Sequence, residues 1–254
     1  MNLFLRRVGV LSFLFFSVQA FAADIKKNIT VNFVTEANYY PFEFLDDSET
    51  IQGFDIDIAN AICDVSNLDC NFSSQSFDSL LLTLQFGRFD AVIAALDITE
   101  ERKVRVDFSD SYYQSPPVFI STNNVDEKFS IIGKFIGVQS GSSNHSYLLK
   151  NAKQNSFIIS YLSSSEAFLD LKDGKIDAVF ADQAVIDDFL LKDENKTNFS
   201  IKQTEEVFLE HFSEGYGIAV KKGNSLLLER LNYGLQVIQN NGQYEEIFNR
   251  YFSH

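Results

Sequence analysis

One pattern is written twice in this chain. Leu84 to Ala95 spells LQFGRFDAVIAA, and Leu171 to Asp182, 87 residues further on, spells LKDGKIDAVFAD. Each copy predicts a helix end, a glycine, a basic residue (Arg88, Lys175) and a short strand built on Asp-Ala-Val. Gly87 and Gly174 suit the left-handed conformation that closes a helix, which glycine adopts without a Cβ penalty. A serine-containing start precedes each helix: Ser76 in the first copy and Ser163-Ser164-Ser165 in the second. Serine hydroxyls there can accept the open N–H groups of a first turn. The pattern therefore predicts one helix–glycine–strand unit used in each of two similar lobes. Coincidence between two ordinary units is the alternative, and two copies do not make a solenoid.

The remaining segments alternate in kind, which predicts an α/β fold. Ile29–Val34 (ITVNFV) is a strand candidate, and Asp55–Cys63 (DIDIANAIC) carries apolar residues at helical spacing. Asn71-Phe72 begins the next strand. Ser76 caps a helix through Leu80, Leu84 and Phe86, and Phe89–Leu96 is a strand apolar on both faces, as buried parallel strands are. Pro116-Pro117, within Tyr112–Pro117, cannot continue a helix or a central strand, and marks a first crossing between lobes. Glu214-Gly215-Tyr216-Gly217 is the return. Leu226–Phe252 is helical, interrupted by Asn240-Asn241-Gly242. Ligands of open α/β sheets sit beyond the carboxyl ends of strands. That rule brings Asp97 and Asp182 to a shared crevice; a helix cap or a loop acid facing water is the ordinary alternative for each.

The first 22 residues have the layout of a secretory signal peptide: Arg6 and Arg7, the apolar run Val8–Val18, and Ala20-Phe21-Ala22 as a cleavage site. The apolar run has 11 residues, against the roughly 20 that span a bilayer; an uncleaved anchor is the alternative. Cleavage leaves 232 residues (254 less 22), enough for one large or two small domains. The net charge of −14 becomes −16 once the two arginines are gone. Such a chain repels nucleic acid and anionic membranes. Export into an oxidising compartment makes a Cys63–Cys70 disulfide plausible; two free thiols remain open, and no histidine stands near to complete a zinc site.

A set of motifs then occurs in order: Gly53-Phe54-Asp55-Ile56-Asp57, Phe77-Asp78-Ser79-Leu80, Asp90-Ala91-Val92, Asp97-Ile98-Thr99-Glu100-Glu101-Arg102, Phe108-Ser109 and Tyr112-Tyr113. In these the chain resembles the polar amino-acid-binding proteins of bacterial ABC importers (solute-binding protein family 3). Its nearest likeness is to the periplasmic arginine-binding and lysine/arginine/ornithine-binding proteins. The resemblance covers nearly all of the mature chain. It implies a type II periplasmic-binding-protein fold, with the ligand in a cleft between lobes joined by two hinge strands. Residues 23–114 and 214–254 would form lobe 1 and residues 115–213 lobe 2. It also implies a periplasmic monomer that serves a membrane permease, with no cofactor and no metal.

The resemblance assigns roles by position. Arg102 would hold the ligand's α-carboxylate, for which its planar fork is suited. Thr99 would cap the short helix whose first turn carries Arg102, where a cation opposes the helix dipole and calls for an anionic partner. Asp182 would take the α-ammonium. Ser142, Ser143 and Asn144, after Gly141, would offer hydroxyl and N–H groups at a helix start, and Gln139 precedes them in the site. Glu36, Tyr39, Phe77 and Asp97 would face the ligand's distal end, the two rings sandwiching a guanidinium with about 0.5–2 kcal/mol of cation–π energy. Arginine-specific relatives carry aspartate at the Asp97 position. Glu36, Asp97 and Asp182 against Arg102 suit a ligand of net positive charge and reject glutamate. Ala94 and Ala95 also belong to the implied ligand set, but replace a small polar pair common in relatives. His211-Phe212-Ser213 replaces a Tyr-Phe-Gly type sequence near the return crossing.

An L-arginine binder is thus the leading expectation; a binder of lysine, ornithine, histidine or another polar amino acid is the near alternative. An enzyme is the distant one. His145, His211 and His254 form no metal-spaced pair, and Gly141-Ser142-Ser143-Asn144-His145 is not a nucleophile elbow. Exported cyclohexadienyl dehydratases resemble these binding proteins, but three acidic residues argue against a dianionic substrate. A purely interacting protein, such as an adhesin or a sensor's ligand-presenting subunit, is a third class.

Overall fold

The computed structural model describes residues 29–122, 130–152, 154–192, 194, 196–203, 212 and 214–253. The signal-peptide reading, His211, Ser213 and His254 lie outside the described residues.

Two five-stranded sheets carry the structure. In the first, β1 (Ile29–Thr35) runs parallel to β5 (Leu68–Ser74) on one side and to β6 (Ala91–Val92) on the other. Two antiparallel strands, β13 (Ala219–Lys221) and β7 (Val106–Phe108), follow β6 and complete the order β5-β1-β6-β13-β7. The second sheet repeats this plan. Its β9 (Phe135–Gln139) is parallel to β10 (Phe157–Tyr161) and β11 (Ala178–Asp182), and antiparallel β8 (Pro117–Thr122) and β12 (Phe199–Gln203) follow. The two Asp-Ala-Val strands, β6 and β11, hold the same third place in their sheets. A small sheet of β2 (Asn38–Tyr39), β3 (Glu43–Leu45) and β4 (Ile51–Gln52) packs beside α1 (Phe54–Val65).

The repeated units differ at their starts. Ser163 accepts from Glu166 N at 3.3 Å and caps α5 (Ser164–Lys172), as expected. Ser76 does not cap α2 (Leu80–Gln85) with its side chain: a 3-10 turn, Phe77–Ser79, precedes the helix, and the Ser76 hydroxyl donates to the Ser79 hydroxyl at 3.2 Å. Gly87 and Gly174 close their helices at φ +70° and +69°. Two strand expectations need correction. The second strand begins at Leu68, ahead of Asn71, because the chain turns immediately after α1 and pairs in full with β1. The segment Phe89–Leu96 is ladder-paired only at Ala91-Val92. Residues 93–96 are buried as expected, but Ala95 sits at φ +42°, which takes the chain out of extended geometry.

Helices α7 (Ser225–Asn240) and α8 (Gln243–Phe252) close the first sheet, separated at Gly242 as the turn signal predicts. Phe33, Phe42, Phe54, Ile58 and Ile62 are fully buried in this region, each burial contributing about 1.5–3 kcal/mol. The Cys63–Cys70 disulfide is formed, tying the end of α1 to β5 across a Cα–Cα distance of 6.3 Å. Among the described residues no helix is long and apolar enough to cross a membrane.

The two crossings meet side by side. Tyr216 N donates to Tyr113 O at 2.8 Å, and Tyr112 N donates to Tyr216 O at 2.9 Å. Gly215, at φ +78°, passes so close to the first crossing that a Cβ would lie 2.4 Å from Tyr113 O and from Ser111 Oγ. Only glycine fits there.

Candidate functional site

The carboxyl ends of the parallel strands from both sheets converge between the lobes. Asp182 ends β11, Gln139 ends β9, and Glu36 and Tyr39 follow β1. Asp97 follows the Ala95 turn, and Arg102 lies in the four-residue helix α3 (Glu100–Lys103). Thr99 caps α3, accepting from Arg102 N at 3.3 Å, as expected. Ser142 caps α4 (Ser143–Asn151), accepting from His145 N at 2.9 Å. All of Glu36, Tyr39, Asp97, Arg102, Gln139, Ser142, Ser143, Asn144 and Asp182 are buried, and Phe77 borders on it.

Hydrogen bonds join the lobes through these residues. Tyr39 donates to Asp182 Oδ2 at 2.7 Å. Gln139 Nε2 donates to Glu36 Oε2 at 2.5 Å. Ser143 donates to Asp97 Oδ2. Arg102 Nη1 donates to Asp97 O at 2.9 Å, and its Nη2 to Gly141 O at 3.3 Å. Asn144 Nδ2 donates to Asp182 Oδ1 at 3.1 Å, while Asn144 Oδ1 is buried with no hydrogen-bond partner.

The electrostatics follow from burial. Glu36 is pushed up to about 7 by loss of water, with the Gln139 amide pulling the other way. Asp97 is raised by burial and by Asp182, against the pull of Arg102 and Ser143. Asp182 is also raised by burial, while Tyr216, Tyr39 and Asn144 hold it down. Arg102 is lowered by burial, with Asp97 opposing the shift. Three acids against one base is a cleft short of positive charge.

Some expected residues stand differently. The Arg102 guanidinium carbon lies 5.7 Å from the Phe77 ring centroid, so Phe77 already faces a cation of the protein's own. Tyr39 stacks on Phe42 with centroids 6.0 Å apart. Ala94 is enclosed in the core of the first sheet, and Ala95 N is taken by Asp55 Oδ2 at 2.7 Å. Phe212 is buried against Tyr147 and Phe180.

Two features escaped sequence reasoning. Tyr216, fully buried, donates to Asp182 Oδ2 at 2.6 Å; its signal was a large aromatic set between Gly215 and Gly217. Asp55 and Glu43, both fully buried, lie beneath the Ala95 turn. Burial pushes Glu43 up strongly and Asp55 to about 7, and Tyr112 donates to Asp55 at 2.7 Å.

A cavity of about 530 Å³ opens beside Arg102, between Phe77, Thr99, Gly141 and Ser143. A larger one, about 650 Å³, lies behind the hinge between Pro41, Tyr113, Pro116 and Phe252 and touches none of the candidate residues. Phe77, Arg102 and Ser143 line the first, while Glu36, Asp97 and Asp182 are buried between the lobes and line neither. Among the described residues no group of three His, Cys, Asp or Glu side chains is placed to hold a metal ion.

Comparison with known proteins agrees with this geometry. The chain is 38% identical over 225 residues to ABC transporter arginine-binding protein 1 of Escherichia coli K12, covering 87% of this chain and 90% of that one. It is 34% identical to an L-arginine-binding protein of Pseudomonas aeruginosa, over 97% of this chain and 95% of the relative. Its fold matches the structure of an ancestral arginine-binding protein bound to arginine with a TM-score of 0.82, at 36% identity, over 89% of this chain and 99% of the other. The model of the bacterial extracellular solute-binding proteins, family 3, matches residues 31–254, and the chain belongs to that family.

Proposed function

We infer that this protein captures a cationic L-amino acid, L-arginine first among them, outside the cytoplasm and delivers it to the permease of an ABC importer. The observation that carries the reading is the convergence of Glu36, Asp97 and Asp182 on a cleft with Arg102 as its base. The names of the relatives point the same way.

In this reading residues 1–22 are a cleaved signal peptide, and the mature monomer works in the periplasm. Lobe 1 comprises residues 23–114 and 214–254, and lobe 2 residues 115–213. Arg102 and the N–H groups opening α4 take the ligand's carboxylate. Asp182 and the unpartnered Asn144 Oδ1 take its ammonium. Glu36 and Asp97 face the guanidinium, with Tyr39 and Phe77 along its stem. Ligand favours closure because only the closed form brings both lobes' groups within reach.

Thermal unfolding of the ligand-stripped mature protein tests this across the amino acids, ornithine and citrulline. A ligand at 100 times its Kd stabilises by about 2.7 kcal/mol, or roughly 5–10 °C in a chain of this size. Arginine should give the largest shift, lysine and ornithine smaller ones, citrulline and glutamate none. A shift with glutamate or an aromatic acid instead would discard the roles given to Glu36 and Asp97.

A further inference from the structure

Tyr216 heads the fully buried side chains in size, at 0% exposure. Its place is set by both crossings: its backbone bridges Tyr113 and Asp97, and its ring stacks on Tyr113 with centroids 5.7 Å apart. A hydroxyl taken wholly out of water needs a partner. Here the partner is Asp182 Oδ2 at 2.6 Å, the same oxygen that accepts from Tyr39 at 2.7 Å. Each carboxylate oxygen has two lone-pair sites. Oδ2 is therefore filled by two tyrosines. Among the described residues Oδ1 accepts only Asn144 Nδ2, at 3.1 Å, and keeps one site free.

We propose that Tyr216 is a positioning residue for the ligand's α-ammonium: it saturates one oxygen of Asp182 and leaves the other oxygen as the ammonium's acceptor. The inference rests on the reading of the cleft as a cationic amino-acid site. Tyr216 does not touch the ligand; it acts through Asp182, and through it the return crossing is hydrogen-bonded to the lobe that carries the ammonium site.

The surroundings of Asp182 make this role consequential. Asn144 of α4, Tyr39 of β2 and Tyr216 contact it, Asp97 and Arg102 face it across the cleft, and Glu43 of β3 and Tyr113 of the first crossing feel its charge. Burial favours the protonated acid; the Tyr216 hydroxyl is the foremost group opposing that, ahead of Tyr39, Asn144 and Arg102. Without it the carboxyl holds its proton to higher pH. Arginine binding, which needs the carboxylate, is then lost earlier on acidification.

The test is calorimetric titration of the wild type and Tyr216→Phe from pH 5 to 9 with two ligands: arginine, and 5-guanidinopentanoic acid, which lacks the α-amino group. The variant should bind arginine roughly ten- to a hundredfold more weakly, the range for a hydrogen bond to a charged group. The analogue should change by no more than about twofold, as for an independent site. The acid limb of arginine binding should move upward by about one pH unit. Equal losses for both ligands, unchanged arginine affinity, or an unmoved acid limb would overturn the inference. If Tyr216→Phe fails to fold, 3-fluorotyrosine at position 216 keeps the ring and makes its hydroxyl a stronger donor; the acid limb must then move to lower pH, and a stationary limb overturns the role. A wild type that binds neither ligand removes the functional reading and the inference with it. That result is distinct from a wild type that binds arginine and a variant that matches it.

Discussion

The two copies of the repeated unit end on different residues, Ala95 in one and Asp182 in the other. Both follow a buried Asp-Ala-Val strand in the third place of a five-stranded sheet. From there the lobes part. In lobe 2 the chain goes straight from β11 into α6 (Gln183–Lys192), and the Asp182 carboxylate stands in the cleft. In lobe 1 the chain turns at Ala95 with φ +42°, and a carboxylate from elsewhere, Asp55, holds the turn from beneath. That detour brings Asp97 and then Arg102 to the same cleft. The repeat thus supplies the frame twice, and where the copies diverge lobe 2 presents Asp182 and lobe 1 presents Asp97 with Arg102, the groups to which the proposed function gives recognition.

The comparison separates two fully enclosed aspartates, and substitution can break it. Asp182→Ala should weaken arginine binding by roughly a hundred- to a thousandfold, the range for removing one partner of a buried charge pair. The thermal midpoint without ligand should fall as well, since the Tyr39 and Tyr216 hydroxyls and Asn144 Nδ2 lose their acceptor, offset in part because a buried carboxyl is no longer kept from water. Asp55→Ala should act first on the fold. It strands Ala95 N and the Tyr112 hydroxyl, at a cost of about 2–4 kcal/mol for two unsatisfied buried donors, or a midpoint lower by about 5–12 °C. Calorimetry and melting curves on both variants decide it; an equal loss of arginine affinity in Asp55→Ala would mean that Asp55 is site as much as scaffold.

A smaller effect concerns the edge of lobe 1. Cys63→Ser with Cys70→Ser should cost about 2 kcal/mol, because the loop closed by the bridge is short. Arginine affinity should change little, since the bridge lies at α1 and β5, away from the cleft. Hydrogen exchange should rise along β5 and leave β10, its counterpart in lobe 2, unaffected.

Much of this was legible in the sequence, and the misses have physical causes. The doubled pattern gave the two lobes, because a helix–glycine–strand unit is specified locally by caps and periodicity. Asp97 and Asp182 followed from strand ends, and Thr99 and Arg102 from the motif that carries the family resemblance. The tyrosines were harder. Tyr216 lies 34 residues beyond Asp182 and Tyr39 lies 143 before it, and no local rule predicts that two hydroxyls share one oxygen. The shortness of β6 was hidden for a related reason. A run of apolar residues signals burial, but the ladder ends at Val92, ahead of a turn at Ala95 that Asp55, 40 residues away, holds.

The smallest expected effect is a proton count, and it turns on the same difference between the lobes. Lobe 1 contributes both of the acids assigned to the guanidinium, and burial pushes each to about 7, Glu36 from an ordinary 4.5 and Asp97, with Asp182 adding to the shift, from 3.8; Glu36 is taken first. A folded-state pKa above the unfolded value favours the fold while the group is protonated. That contribution is complete below about pH 4.5 and is lost as pH rises through about 7. A bound cation reverses the preference, because positive charge beside the carboxyl stabilises its ionised form. Arginine binding near pH 6 should therefore release a proton, and affinity should rise about tenfold between pH 6 and 8, the gain expected when one group titrating at 7 must ionise. Titration in buffers of differing ionisation enthalpy reads the proton directly. In Glu36→Gln the Gln139 contact keeps an amide oxygen to accept its bond, the released proton should fall to the share that Asp97 contributes, and the slope of affinity with pH should flatten. An undiminished release in that variant would move the titrating group to Asp97, the other lobe 1 acid raised by burial.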